Sequence, residues 1–213
     1  MIRLTPGHCS EILLLGAHCD DVPLGAGGTL LQLCRANPGL SVRALILSGA
    51  GTVREAEERE ALDAFCPKAR VEVAVLDMPD GRLPAYWERT KEALEEVRRG
   101  CDPDLILAPC ATDAHQDHRG LAKLVPTVFR DHMTLGYEIL KWESDLLQPE
   151  VFVPLAESVV TEKIELLRRC YPSQHDRSWF DDETFRGLAR VRGVQAGDRY
   201  AEAFHTSKLT LRF

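Results

Sequence analysis

The stretch ILLLGAHCDD, residues 12–21, places an imidazole and two adjacent carboxylates directly behind a short apolar run. Four apolar residues bounded by Gly16 are typical of a buried strand in a parallel sheet. We therefore expect His18, Asp20 and Asp21 on the loop that leaves the carboxyl end of this strand, where open α/β sheets bind ligands. Neighbouring carboxylates repel each other and are costly to bury without a cation, so the pattern indicates a divalent metal.

A second stretch of the same kind follows the apolar run 105–108. It reads HQDH, residues 115–118, and precedes a helical pattern. His115 is expected in the loop and His118 near the start of the helix. Two such loops converge on one site if their strands are neighbours in the sheet. Two His and one carboxylate with one open position form a common catalytic zinc set.

Apolar runs alternate with helical patterns along the rest of the chain, which favours an α/β fold. Further strands are predicted at 42–47, 71–76, 136–140, 151–155 and 200–211. Helices are predicted at 29–37, 54–65, 119–130 and 180–191, with another around Val160, Ile164 and Leu167. The sequence contains no repeat, low-complexity segment or linker, which predicts one domain over residues 1–213.

Three glycines open the first helical segment without forming a nucleotide-binding motif. Gly25, Gly27 and Gly28 do not make G-x-G-x-x-G, because Leu30 stands where the third glycine should be. We interpret them as positions of tight strand–helix packing. The charged helix 54–65 is expected to present a solvated face. Trp87, Thr90, Leu94 and Val97 recur at helical spacing and are expected in the core.

Composition excludes several function classes. The net charge of −7 argues against a nucleic-acid partner, because nucleic-acid binders usually carry a basic excess. No apolar run approaches the roughly 20 residues of a membrane span. Residues 1–6 lack the apolar core of a signal peptide, so a cytoplasmic location is the expectation. The seven Cys are predicted to be small buried hydrophobes in a reducing compartment rather than a zinc cluster.

The paired motifs His18-x-Asp20-Asp21 and His115-x-Asp117-His118 resemble those of the PIG-L/LmbE-like N-acetylglucosaminyl deacetylases. The resemblance covers most of the chain and extends to MPDGR at 78–82, GYE at 136–138, YPSQ at 171–174 and YAEAF at 200–204. It implies a Rossmann-like three-layer sandwich with a mostly parallel central sheet. It also implies a zinc-dependent amidase that removes acetyl from N-acetylated amino sugars. One departure is Cys19, where many members have Pro, which bears on the rigidity of the loop.

The resemblance assigns His18, Asp21 and His118 as the three metal ligands. The metal is expected to be Zn²⁺, and Fe²⁺ suits the same set. An open position would take water, whose pKa the metal lowers from 15.7 toward about 7.

The remaining motif residues are assigned catalytic roles. Asp20 is expected to act as general base toward that water. His115 is expected to stabilise the tetrahedral oxyanion or to protonate the leaving amine. Asp117 is expected to favour the imidazolium form of His115 by orientation and charge.

Two further residues are candidates for substrate contacts. Arg54 begins a helix on the same edge as His18, and Asp80 lies in a turn where the resemblance implies contact with a sugar hydroxyl. Specificity is expected in the loops 78–88 and 142–150, with residues 142–145 as a flap. The expected partner is a small-molecule N-acetylated amino sugar, and the sequence does not determine which one. The sequence also leaves open whether the protein forms a homo-oligomer.

Two alternatives stay open at this point. The first is a metal-dependent hydrolase of another bond class, such as a phosphoesterase, although two-metal phosphatases usually need more ligands. The second is a non-catalytic sugar-binding relic of the same fold. Asp20 argues against the relic, because a protein that only binds sugar needs no general base.

Overall fold

The computed structural model describes residues 7–146 and 148–210. The segment 1–6, on which the signal-peptide prediction rests, and residue 211, the end of the last predicted strand, lie outside these ranges. No helix in the described ranges has both the length and the apolarity needed to cross a membrane.

Seven strands form one sheet, and the helices pack on its two faces. The strands are β1 (Glu11–Gly16), β2 (Ser41–Ile46), β3 (Arg70–Val75), β4 (Leu105–Pro109), β5 (Thr134–Tyr137), β6 (Val151–Leu155) and β7 (Tyr200–His205). The helices are α1 (Asp21–Ala36), α2 (Val53–Phe65), α3 (Trp87–Arg99), α4 (Gln116–Val128), α5 (Glu157–Cys170) and α6 (Asp182–Ala196). Short 3₁₀ turns lie at Leu83–Tyr86 and Pro172–Gln174.

The strand order is β3-β2-β1-β4-β5-β7-β6. Pairing is parallel from β3 to β5, and β7 is antiparallel to both β5 and β6. The predicted α/β class, with helices on both faces of a mostly parallel sheet, is confirmed.

Strand β1 feeds two separate cores because its side chains alternate between the faces of the sheet. Ile12 and Leu14 are fully buried in the core under α1, α2 and α5. Leu13 and Leu15 are fully buried in the other core, under α3 and α4. Burying each such leucine contributes about 1.5–3 kcal/mol. The apolar run is therefore continuous because both faces of this strand are covered.

The chain direction across the sheet reverses between β1 and β4. From β1 the chain moves outward through β2 to β3, and it then returns to β4 on the other side of β1. The loops after β1 and β4 therefore open into the crevice where such sheets bind ligands. The two predicted loops do lie side by side, as their convergence requires.

Two helices begin earlier than predicted. Helix α1 begins at Asp21 rather than at residue 29, and α4 begins at Gln116 rather than at residue 119. Pro23 is tolerated in the first turn of α1, where an N–H has no partner within the helix. The glycines of α1 weaken helix propensity, but the helix is buried along this part, so packing outweighs propensity.

The glycines of α1 are positions of close packing, as predicted. A Cβ on Gly25 would lie 2.4 Å from a ring carbon of Tyr137 in β5. A Cβ on Gly28 would lie 2.6 Å from a methyl carbon of Leu155 in β6. Any larger residue at these positions would push α1 away from the sheet.

Other predictions about burial are partly wrong. Thr90 and Leu94 are buried, but Trp87 is 45% exposed because it begins α3 at the edge of the fold. Helix α2 is not simply a solvated face, since Glu57 and Glu58 are buried. All seven Cys are free thiols, and six of them are buried, as expected of small hydrophobes.

Candidate metal centre and active site

Asp21, the first residue of α1, closes the loop that follows β1. Its Oδ2 accepts hydrogen bonds from the backbone N–H groups of Ala17 and His18, both at 2.9 Å. A carboxylate in the first turn also interacts favourably with the positive end of the helix. The other oxygen, Oδ1, faces the His118 ring at 3.3 Å from Nε2. The fold thus fixes the Asp21 carboxylate and points one oxygen into the crevice.

His18 has one ring nitrogen held by carboxylates and one facing the crevice. Its Nε2 lies 3.0 Å from Asp80 Oδ1 and 3.1 Å from Asp117 Oδ2. Since a carboxylate accepts hydrogen bonds, Nε2 carries a hydrogen. Nδ1 lies 3.1 Å from Nε2 of His118.

His118, in the first turn of α4, is arranged in the same way. Its Nδ1 lies 2.8 Å from Asp113 Oδ2, so this nitrogen carries a hydrogen. Its Nε2 faces His18 Nδ1. Two protonated nitrogens cannot face each other at 3.1 Å, so at least one presents a lone pair. A carboxylate behind a ligating imidazole is the usual outer partner of a metal-binding His.

The donor atoms of these three side chains lie at spacings near those of ligands around a small divalent cation. Nδ1 of His18 lies 3.1 Å from Nε2 of His118, which in turn lies 3.3 Å from Asp21 Oδ1. The contact of His18 Nδ1 with Asp21, at 3.7 Å, is to the other carboxylate oxygen, Oδ2. Tetrahedral ligands at about 2.0–2.1 Å from zinc would stand about 3.3 Å apart. One nitrogen each of His18, His115 and His118 also lies within 4.8 Å of the others, as do donor atoms of His18, Asp80 and Asp117.

The electrostatics of the cluster favour positive charge. Burial alone would lower the pKa of His118, but Asp21 and Asp113 raise it to about 9. Burial alone would raise the pKa of Asp21, but the two facing imidazoles lower it well below its usual range. The carboxylates therefore hold a net negative potential at this point, which a bound cation would compensate.

Asp20 is separated from the cluster by its backbone conformation. It is the N-cap of α1 with φ 100°, a left-handed conformation that costs free energy for any residue except glycine. Its Oδ2 lies 2.8 Å from Arg54. Burial raises the pKa of Asp20 to about 6, partly offset by Arg54. A carboxyl with a pKa near neutrality suits a general base.

Glu58, from α2, holds Asp20 in this conformation. Its Oε2 accepts the Asp20 backbone N–H at 2.8 Å and the Tyr171 hydroxyl at 2.5 Å. Arg54 also donates to the Cys19 carbonyl, and the Cys19 thiol is buried against the Ser48 carbonyl. The loop is therefore held by side-chain contacts from α2.

His115 is the N-cap of α4, and its Nδ1 accepts the backbone N–H of Asp117 at 3.3 Å. Its other nitrogen therefore carries the hydrogen in the neutral ring. Partial burial and the neighbouring His118 and His18 lower the pKa of His115. The charge of Asp117 raises this pKa, as expected, but burial and the two other rings outweigh it, so the direction favours the neutral ring over the predicted imidazolium.

The structure also places the Asp117 carboxylate elsewhere than expected. It faces His18 and accepts the backbone N–H groups of Gly81 at 2.7 Å and Leu83 at 3.0 Å. The carboxylate therefore orients His18, while the Asp117 backbone N–H orients His115, and the carboxylate also ties the 81–83 turn to the site.

Arg54 and Asp80 both line the cleft above the cluster. The cleft encloses about 580 Å³, room for a sugar-sized ligand. The Asp80 side chain is 80% exposed, so most of it is accessible to a ligand. Arg54 is mostly buried and reaches Ser173 as well as Asp20.

Sequence reasoning missed three residues that support the site: Asp113, Lys141 and Glu58. The buried Lys141 amine lies 2.9 Å from Asp113 and 3.3 Å from Asp145. Asp113 could have been found from its place in the loop after β4, five residues before His118. Lys141 and Glu58 gave no comparable signal, because charged residues on helices and loops are usually exposed.

The residues of both loops lie inside a segment, 13–129, that matches the family model described as PIG-L: GlcNAc-PI de-N-acetylase. The segment spans more than half of the chain. The chain belongs to the PIG-L family. The resemblance predicted from the two motifs is thereby confirmed. The PIG-L family is a family of deacetylases, hydrolases that act on amide bonds.

Three proteins are similar to this PIG-L family member in sequence or in structure. A protein described as the uncharacterized deacetylase YaiS of Escherichia coli K12 is 29% identical over 171 residues, covering 74% of this chain and 89% of its own. N,N′-diacetylchitobiose deacetylase of Pyrococcus horikoshii superposes with a TM-score of 0.71 at 21% identity, covering 93% and 84% of the two chains. GalB of Pseudomonas putida KT2440, a 4-carboxy-2-hydroxymuconate hydratase, reaches 0.70 at 17% identity, covering 96% and 98%. Because the fold serves more than one reaction, function must be argued from the site.

Asp113→Asn is expected to weaken metal binding about 10- to 100-fold, because an outer carboxylate orients the ligating ring. The variant keeps the shape of the side chain but presents an amide to His118 Nδ1. Zinc affinity measured by competition with a chromogenic chelator checks this. Asp104→Asn, a carboxylate at the opposite end of β4 that caps Ser10, is the matched control. Unchanged affinity in Asp113→Asn would show that the Asp113 carboxylate does not orient a metal-binding His118.

Proposed function

We propose that this protein is a metal-dependent N-deacetylase of an N-acetylated amino sugar or its conjugate. The observation that carries the proposal is the pairing of His18 and His118. Each ring has one nitrogen held by carboxylates, and the other two nitrogens meet at 3.1 Å beside Asp21. Such an arrangement is unfavourable unless a proton or a cation lies between the rings.

We assign His18, Asp21 and His118 as the residues that hold the ion. Imidazole and carboxylate ligands suit Zn²⁺ and Fe²⁺ alike, and zinc is the metal we propose. When bound, such an ion supplies a water of lowered pKa and a Lewis acid for a carbonyl oxygen.

The chain's own residues supply the proton transfers. Asp20 is the group that accepts a proton from the attacking water, because its pKa of about 6 leaves it ionised near neutral pH. Arg54 fixes one oxygen of Asp20 and leaves the other available. Glu58 keeps the backbone of Asp20 turned toward the crevice.

His115 acts in its neutral form as a hydrogen-bond donor toward the oxyanion. Asp117 N–H holds Nδ1, which leaves the N–H of Nε2 for this purpose. A preorganised donor of this kind needs no charge to stabilise a developing oxyanion. The proton that Asp20 accepts from the water is the one passed to the leaving amine, which returns Asp20 to its ionised form. Asp117 acts indirectly, because its carboxylate orients His18 and does not contact the reacting atoms.

The substrate class is supported by the cleft and by the relatives. Arg54 and Asp80 provide a donor and an acceptor for sugar hydroxyls. One relative is described as a chitobiose deacetylase, and the family description names N-acetylglucosaminyl-phosphatidylinositol.

The test is a panel of N-acetylated amino sugars assayed for acetate release by the purified chain, with Zn²⁺ or Fe²⁺ supplied. Acetate and free amine in equal amounts, abolished by a chelator, are the expected result. Phosphate release from phosphate esters without acetate release would instead favour a phosphoesterase. Sugar binding without turnover under either metal would favour a non-catalytic relic.

His115→Ala is expected to keep its metal and to lose roughly 10²-fold or more in kcat, the scale of a lost oxyanion donor. Metal content by elemental analysis and steady-state kinetics check this together. His175→Ala is the matched control, since the His175 ring bonds the Arg168 carbonyl and packs against Phe180, apart from the residues that line the cleft. Loss of zinc together with activity would make His115 a metal ligand.

A further inference from the structure

One wall of the cleft is aromatic and cationic, unlike the acidic floor. Trp142 follows β5, while Arg177 and Trp179 lie in the segment before α6. The two indole rings meet edge to face, with centroids 6.2 Å apart, and the Arg177 guanidinium lies 5.7 Å from the Trp142 ring. All three side chains line the same cleft as His18.

Much of the Trp142 indole is available to a ligand beside the Arg177 guanidinium. The residue is 64% exposed, although an indole at a protein surface gains from being covered. Its Nε1 lies 3.4 Å from Ser178 Oγ, which ties the ring to the Arg177 segment. An exposed indole held in place is a platform on which a flat ring can stack.

Arg177 differs from the other cations of the cleft. Arg54 pairs with Asp20, and Lys141 pairs with Asp113. Within residues 7–146 and 148–210, by contrast, no carboxylate oxygen lies within 4.0 Å of an Arg177 guanidinium nitrogen. The guanidinium instead contacts the Trp142 ring.

Four carboxylates also line the cleft, those of Asp20, Asp21, Asp77 and Asp80, and an anion close to them would be repelled. Among the arginine and lysine side chains of the cleft, Arg54 and Lys141 are already paired with carboxylates, so an anionic group on a ligand is favoured at Arg177. A guanidinium stacked on an indole keeps its N–H groups for such a group, because stacking uses its face and not its edge.

We propose that Trp142 and Arg177 form a subsite for the part of the substrate beyond the N-acetylated ring. The subsite takes a ring that stacks on Trp142 and carries an anionic substituent, a carboxylate or a phosphate, bound by Arg177. This deepens the proposed deacetylase function and rests on it for the link to the N-acetyl group. The binding preference itself can be measured without turnover.

The probes are the phenyl glycoside of glucosamine and its analogues with a 4-carboxylate or a 4-phosphate on the phenyl ring. These compounds carry no acetyl group, so the proposed deacetylation cannot occur during calorimetric titration of the zinc-loaded full chain, and a phosphate assay of the titrated sample checks that the phosphate probe stays intact. Both anionic probes are expected to bind about tenfold more tightly than the phenyl glycoside, the scale of one charge-assisted contact. The ratio between the two anionic probes shows which anion the subsite prefers.

Four variants separate charge from shape. Arg177→Gln is expected to remove the preference for the anion while the affinity for the phenyl glycoside stays unchanged. Arg177→Lys is expected to keep a preference, because it keeps the charge. Trp142→Ala is expected to weaken the binding of all three probes. Arg35→Gln, an exposed arginine on α1 paired with Glu162, is expected to change nothing.

Equal affinity for charged and uncharged probes in the wild-type chain would overturn the subsite, as would a preference that survives Arg177→Gln. Acetate release from the N-acetylated phenyl glycoside reports separately on the proposed function. An anion preference lost in Arg177→Gln, without any acetate release, would uphold the subsite as a binding site while the deacetylase proposal fails. Acetate release without an anion preference would do the reverse.

Discussion

Asp20→Asn retains its zinc and loses activity by about 10²- to 10⁴-fold, the usual worth of a positioned general base. We expect this because Asp20 faces Arg54 rather than the two imidazoles, so its carboxylate is not among the donors that meet near His118. Substrate affinity is expected to change little, since an amide has nearly the shape of a carboxylate. Zinc content, KM and kcat are the measurements.

Asp21→Asn is the matched neighbour and is expected to behave in the opposite way. Its Oδ1 faces His118, so removal of the charge weakens metal affinity, and excess zinc partly restores activity. If excess zinc rescues Asp20→Asn while Asp21→Asn holds its metal tightly, the two roles are exchanged. Such a result would also mean that the left-handed backbone at Asp20 does not serve to keep its carboxylate apart from the metal ligands.

His118→Ala is expected to lose most of the bound metal and, with it, essentially all activity. The side chain is 3% exposed and supplies the nitrogen that faces both His18 and Asp21. Its loss also leaves Asp113 without its imidazole partner in a buried position. Elemental analysis after dialysis, and the dependence of acetate release on added zinc, are the measurements.

His132→Ala controls for the general effect of removing an imidazole. His132 pairs with Asp102 beyond the C-terminal end of α4, away from the cleft. It is expected to keep both metal and activity, even if its melting temperature falls. Full metal occupancy in His118→Ala would contradict the proposed ligand set.

The sequence predicted the position of the site because the strongest local signals lie there. An apolar run followed by polar residues marks the end of a buried strand, and this held for both β1 and β4. The predicted order of elements also held, although α1 and α4 begin earlier than their apolar periodicity indicates. The reason for α4 is that its first turn, residues 116–119, is polar. The reason for α1 is that its start contains Pro23 and glycines, which it tolerates through burial and packing on Tyr137.

What the sequence did not predict depends on contacts between distant segments. Asp117 was expected to act on His115, its neighbour along the chain, and its backbone N–H does hold that ring, but its carboxylate faces His18, which is 99 positions away. Glu58 looked like one charge among many on α2, yet it lies beneath Asp20. Such pairings follow from strand order and helix packing, which no spacing within a single motif encodes.

The left-handed backbone at Asp20 has an evolutionary consequence. Strained conformations of this kind cost about 1–3 kcal/mol, a noticeable share of the stability of a typical domain. Glycine adopts such a conformation without this cost, so replacing Asp20 with glycine would raise the free energy of unfolding and remove the proposed general base. Selection for thermal endurance and selection for turnover therefore pull this single position in opposite directions. In a laboratory evolution experiment that selects only for heat resistance, we would expect Asp20 to be replaced by glycine, with loss of activity.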